Sequence, residues 1–452
     1  MTTDRLGNQI TDTAPDLIAG INAFSSGFLS YQTQAAQILS VIDQYPGSCL
    51  GNAYAGFLWM FLESPEAPSR AAPYAARALA AAGNPREQAN AQVLASWLAG
   101  DIPQVIRLCE EIAREHPIDL AIIKLGQYHL FNLGDAPGML RMALHALPAG
   151  EDTPHVHGMI AFGYEQCHLL DEAEAAARRA LQIEPADPWA HHALAHVMLT
   201  QGRVDEGIAF LESVSPHWQG LNSFMHTHNW WHLALFYISR DRQADVLRVY
   251  DEHVWACEKD YSQDQVGAVS LLARMEFAGI DVGDRWRDVA GRIAARGADT
   301  VSPFLTLQYL YALAHAGLPQ AGGLMDAVRT RAATPAHDQT AWAEIALPAA
   351  TGIMAHAAGD FASAARDLSR AHPRLREIGG SHAQRDFFEQ IQLDALIRAG
   401  DLSSAQQMLE LRRAFDPDGI PLNRTLAQVY ERVGLPGLAQ KARARMAPLL
   451  TR

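Results

Sequence analysis

Strand, crosslink and membrane signals are all scarce in this sequence. Alternating runs of Val, Ile and Thr are missing, and no Asn-Gly or Asp-Gly pair separates two apolar runs; Asp418-Gly419 falls between two expected helices instead. Four cysteines (Cys49, Cys109, Cys167 and Cys257), widely spaced and without a CxxC pair, exclude a disulfide framework and read as reduced thiols. No apolar run approaches the roughly 18 residues that a membrane span needs. The opening MTTDRLGNQITDTAPDL lacks the basic and apolar regions of a signal peptide. Basic charge is short as well: 36 Lys and Arg against 50 Asp and Glu give a net charge of −14, which repels phosphate backbones and anionic lipid. The expectation is a cytoplasmic protein with neither nucleic acid nor membrane as partner. Hydrophobic residues at 49% and charged residues at 19% supply a sizeable core. No Pro- or Ser-rich linker divides the 452 residues.

What the chain has in abundance is internal repetition. A small or aliphatic residue, then Gly-Asp, then a nonpolar residue recurs as AGDI (99–102), LGDA (133–136), AGDF (358–361) and AGDL (399–402). Each lies between Ala- and Leu-rich periodic stretches, as expected where Gly ends one helix and Asp caps the next. A 34-residue unit can be framed from Pro154, with Ala161 and Tyr164 on its first helix, Ala173 and Ala180 on its second, and Pro185 closing it. The next frame starts at Pro188 and keeps Leu194, Ala195, Gly207 and Leu211. These units resemble tetratricopeptide repeats. The predicted fold class is therefore all-α, an α-α superhelix of helical hairpins forming one body over 1–452. Within it, 1–85 reads as an N-terminal cap, 86–280 as regular repeats, 281–345 as less regular, and 346–452 as C-terminal repeats.

Histidine is the second excess. Of 19 histidines, eleven fall between His155 and His253, including the i,i+4 pairs His192–His196 and His228–His232. Residues four apart share a helix face, so each pair points two imidazoles the same way. Aligning Gly202-Arg203-Val204 with Asp241-Arg242-Gln243 gives an offset of 39 residues. It places the two pairs on first helices of successive hairpins, with mean directions roughly 60° apart. The 34-residue offset brings Glu165 within about 40° of the same face. One carboxylate and four imidazoles are thus expected in one concave groove walled by Trp189, Trp230 and Trp231. Such imidazoles suit general acid–base work oriented by Glu165, or chelation of a divalent metal such as zinc. The HExxH arrangement is absent.

The segment GGSHAQRDFFEQ (379–390) is the third feature. Gly379-Gly380 makes a turn, and Ser381 with Gln384 three residues on forms a capping box. His382, Arg385 and Asp386 crowd the first helical turn, where Arg is unfavourable unless a negative group compensates it. Backbone N–H groups with a guanidinium make a corner that suits a carboxylate or phosphate.

That segment, with GMIAFGYEQ (158–166), WAHHALAHV (189–197) and HNWWHLALF (228–236) in this order, resembles the tetratricopeptide repeat protein 38 family from about Asn90 to about Phe415. The family pattern matches at Gly163, His192, His196, His228, His232, Gln384, Arg385 and Asp386; position 382 is His or Asn there, and Gln166 stands where the family often has Glu. The resemblance implies an α-α superhelix, cytosolic or exported in vesicles for animal members, and no particular reaction.

The expected function is a His-rich pocket that takes a small, carboxylate-bearing molecule and acts as a hydrolase or lyase. Its expected catalytic groups are His192, His196, His228, His232 and Glu165, with Asn229, Trp231, His382, Gln384, Arg385 and Asp386 as ligand-binding groups. The alternative is a scaffold that binds a peptide in the groove, or a self-associating homodimer. The Lys- and Arg-built carboxylate clamp of peptide-binding arrays is poorly represented: 155–240 holds only Arg178, Arg179, Arg203 and Arg240.

Overall fold

The computed structural model describes residues 2–450, and apart from a short N-terminal hairpin it is helical. In that hairpin Thr2–Thr3 pairs antiparallel with Gln9–Ile10, Thr2 facing Ile10. Everything after it is built from helices that pack on their sequence neighbours, the all-α arrangement predicted from the repeats. No helix among the described residues is long and apolar enough to cross a membrane.

The Gly-Asp punctuation works as its chemistry requires. At Gly100 the backbone turns left-handed (φ 71°), a conformation that costs glycine little, and Asp101 then accepts the N–H of Gln104 to start Ile102–Glu115. Asp135, Asp360 and Asp401 cap the helices Ala136–Leu144, Phe361–Ala371 and Leu402–Arg413 in the same way. The 34-residue frame is realised as Pro154–Gln166 followed by Leu170–Ile183, with Ala161, Ala173, Ala177 and Ala180 fully buried where the paired helices meet. Small side chains there allow close helix approach, so a larger residue would force the hairpin open.

The stretch that looked irregular contains ordinary helices, Arg285–Ala294, Pro303–His315 and Gln320–Ala333. Near its end, Trp342–Ala346 forms a wide π-type turn leading into Leu347–Ala357. Pro348 has no N–H to return to Glu344, and the helix accommodates that missing bond by widening just before it.

The chain divides into two compact units. The first runs to Leu194 and includes His217–Met225; the second comprises Ala195–Pro216 and everything from His226 onward. In the first unit the core is a continuous apolar cluster that includes Ile21, Phe24, Leu50, Leu94, Ile122 and Met142. A buried ion pair lies beside it, with Arg86 Nη1 2.7 Å from Asp119 Oδ2. The second unit buries Leu271, Leu307, Trp342, Phe387 and Phe388.

Candidate histidine site

Three helical segments of the second unit meet at a group of histidines. The helix Ser223–Ser239 contributes His228, Asn229, Trp231 and His232. The C-terminal half of Pro188–Thr200 contributes His196, and the first turn of His382–Ala399 contributes His382. The His196 and His232 rings lie 4.5 Å apart between centroids, His232 and His228 4.8 Å, and His196 and His382 5.3 Å. His196, His232 and Asn229 are fully buried, while His228 and His382 are half-buried. Each of His196, His228 and His232 offers a ring nitrogen, and these nitrogens lie within 4.8 Å of one another. Burial, reinforced by neighbouring His196, pushes the His228 imidazolium down to about 3. At neutral pH that ring is uncharged and has a lone pair to donate.

Trp231 walls the group. Its ring stacks parallel to His228 (5.4 Å, 7°) and meets His232 edge-on at 4.9 Å. Its Nε1 is buried and, among the described residues, has no hydrogen-bond acceptor. The Arg274 guanidinium lies 5.3 Å over the Trp231 ring. Arg274 is buried in Ser262–Phe277, donates to the Ala383 carbonyl at 2.7 Å and to Ser270 Oγ, and lies 3.5 Å from Asp386 Oδ2. Burial lowers its pKa to about 10, with Asp386 opposing that fall. Arg274 was not singled out in the sequence. Its signal was a lone charge inside the otherwise apolar stretch Leu271–Met275.

The segment 379–390 forms the predicted cap. Ser381 Oγ accepts the N–H of Gln384 at 3.2 Å, and the Gln384 carboxamide accepts the N–H of Ser381 at 2.9 Å. Gly380 is required twice over: its φ is 76°, and a Cβ there would come 2.5 Å from the Phe304 ring. Arg385 donates to the Gly380 carbonyl, so a backbone oxygen offsets its position in the first turn. Asp386 bonds Arg412, accepts from Gln390 at 2.6 Å, and faces Arg274. Burial acts to raise its pKa, but Arg412 and Arg274 outweigh burial and hold it at about 2. The side chains of Gln384 and Asp386 are thus engaged in shaping this helix start.

His192 and Glu165 belong to the first unit. His192 stacks on Trp189 (4.4 Å, 20°) and lies 5.1 Å from the Phe162 ring. Glu165 is fully buried, and its Oε2 accepts from Gln166 at 2.6 Å.

A tetratricopeptide repeat profile matches residues 169–219. Among solved structures, the chain is similar to a human IFIT1 dimer with m7Gppp-AAAA (10% identity, TM-score 0.44, 98% of this chain and 96% of that one). It is also similar to a human IFIT1 dimer with PPP-AAAA (10% identity, TM-score 0.42, the same coverages). A monomeric mutant of IFIT1 with Gppp-AAAA gives 11% identity and a TM-score of 0.43 over 96% of this chain and 95% of that one. The helical hairpins and the profile match together show an all-α repeat protein that carries a tetratricopeptide-type repeat over 169–219.

Proposed function

We propose that His196, His228 and His232 hold a divalent metal of the zinc type and that the second unit acts beside it on a small, carboxylate-bearing molecule, as a hydrolase or lyase. The observation that carries this reading is the set of three imidazole nitrogens within 4.8 Å of one another. Ligand nitrogens around a tetrahedral zinc stand about 3.3 Å apart, a spacing that modest side-chain rotations reach. Neutral imidazole is the form that binds metal, and His228 stays neutral down to about 3, which also makes it a poor proton carrier at pH 7. When bound, such an ion supplies a Lewis acid and an acidified water. The Trp231 indole N–H, buried without an acceptor, is the kind of orphaned donor that a ligand oxygen satisfies. Arg385 and Asn229 are the further groups for the carboxylate, and Trp231 walls the pocket.

The four motif stretches quoted above support placing the chain with the tetratricopeptide repeat protein 38 family. Elemental analysis of tag-free protein tests the metal reading. About one zinc per chain is expected, lost in His196→Ala and His232→Ala with helicity kept. If the protein takes up no metal after incubation with zinc and dialysis, the reading is wrong.

A second reading, an interaction scaffold that binds peptide, is favoured by the profile match over 169–219. A stoichiometric partner recovered with metal-free protein would move the conclusion there.

A further inference from the structure

The first unit carries a separate cluster with a different chemistry. Ser30 ends the helix Pro15–Ser30, and His155 lies in the first turn of Pro154–Gln166. Asp187 immediately precedes Pro188–Thr200. Ser30 Oγ lies 3.4 Å from His155 Nε2, and His155 Nδ1 lies 3.4 Å from Asp187 Oδ2. Each ring nitrogen faces the partner it would need for relay work: Nε2 the hydroxyl, Nδ1 the carboxylate. Among the described residues neither His155 Nδ1 nor Asp187 Oδ2 has a hydrogen-bond partner, so no other group competes for the 3.4 Å approach between them. The other oxygen, Asp187 Oδ1, accepts from the N–H groups of Trp189 (2.9 Å) and Ala190 (3.1 Å), which fixes the carboxylate. Burial works to raise the Asp187 pKa, but His155 and these two N–H groups hold it below the ordinary value.

The surroundings are unusual for a mere helix junction. Tyr31, next to Ser30, adopts the left-handed conformation at φ 56°, a backbone strain that a β-carbon residue rarely accepts. Lys124 is drawn into the same place, its Nζ 3.4 Å from the Tyr31 ring centroid and hydrogen-bonded to the carbonyls of Phe28 (2.5 Å) and Leu29 (3.1 Å). Tyr31 stacks on Trp189 (5.2 Å) and lies 5.9 Å from Phe224. Ser30 itself is half-buried.

We infer that Ser30, His155 and Asp187 form a nucleophilic site for acyl transfer, taking a small ester whose apolar part rests on Tyr31, Trp189 and Phe224. Ser30 Oγ bonds to the acyl carbon while its proton passes to His155 Nε2. The carbon–oxygen bond to the alcohol then breaks, and His155 returns the proton to that alcohol. Water next bonds to the acyl carbon, His155 takes its proton, and the acyl–Oγ bond breaks with the proton restored to Ser30. Burial pushes the Lys124 amine well below its ordinary pKa, with Asp187 opposing that fall. Both 3.4 Å spacings close to catalytic length by shifts of about half an ångström, as resting sites commonly require. Asp187 acts as a positioning residue.

The test uses the full chain in chelator, which separates it from the metal reading. A fluorophosphonate probe should add one label, mapped by peptide mass spectrometry to Ser30, and p-nitrophenyl acetate should be turned over. Ser30→Ala and His155→Ala should lose both. Asp187→Asn should lower kcat roughly 10³-fold or more with KM little changed. Because Ser30→Ala removes only a half-buried hydroxyl at a helix end, the fold survives it. Absence of label on wild-type Ser30, or turnover by Ser30→Ala equal to wild type, would overturn the inference.

Discussion

Asp386→Asn is the most informative change at the start of the helix His382–Ala399. The Asp386 carboxylate is held at about 2 against an ordinary 3.8, because Arg412 and Arg274 outweigh the cost of burying it. That difference corresponds to about 2.5 kcal/mol of folding stability at neutral pH. The amide would also leave two guanidiniums without their counter-charge, a loss that reaches about 3–5 kcal/mol for a buried pair. Glu389, 3.7 Å from Arg412, recovers part of it. The expected net cost is therefore about 3 kcal/mol. Since the folded pKa lies below the unfolded one, the contribution is complete above about pH 4 and disappears as pH falls toward 2. Urea unfolding followed by circular dichroism, for both proteins from pH 7 to pH 2.5, reads this directly. The gap between wild type and variant should hold steady down to about pH 4.5 and then close. A gap under about 0.5 kcal/mol at pH 7, or one unchanged at pH 2.5, would refute the ion-pair account.

Other outcomes follow from the same geometry. Arg274→Met should cost about 2–4 kcal/mol in urea unfolding, since it strands the Ala383 carbonyl and removes one of two cations on Asp386. Trp231→Phe removes a buried donor without an acceptor but leaves a cavity where the larger indole was, so it should cost about 1–3 kcal/mol in urea unfolding. Asp101→Ala removes a helix cap and should cost about 1 kcal/mol by chemical denaturation. Gly380→Ala combines a positive φ with a 2.5 Å approach to Phe304 and should lower the melting temperature by several degrees.

The fold was legible because its signals are local. A Gly-Asp pair acts within one turn of itself: Gly leaves the helix left-handed and Asp captures an N–H three residues on, whatever packs around them. The hairpin frame from Pro154 was readable for the same reason, its small residues marking where neighbouring helices touch. The capping box of Ser381 and Gln384 belongs with these. Between 281 and 345 composition departs from the repeat pattern, and the residues just ahead of Pro348 widen into a π-type turn.

Side-chain partnerships were harder, and the difference lies in the reach of the contact. That His228 and His232 share a face with Trp231 follows from helical periodicity alone. That His196 meets His232 depends on the register between successive hairpins, which a one-residue slip would rotate by about 100°. Arg274 over Trp231, Arg412 on Asp386, and Ser30 beside His155 join residues 43, 26 and 125 positions apart. No local rule pairs them, since many exposed arginines and serines would read identically in sequence. What distinguishes these three is burial or half-burial of a polar group, which forces it to find a charge, a carbonyl or a ligand. For Arg274 the carbonyl and Asp386 answer that demand inside the protein. For the Trp231 N–H nothing in the described chain does, which is why the proposed ligand site is set beside it.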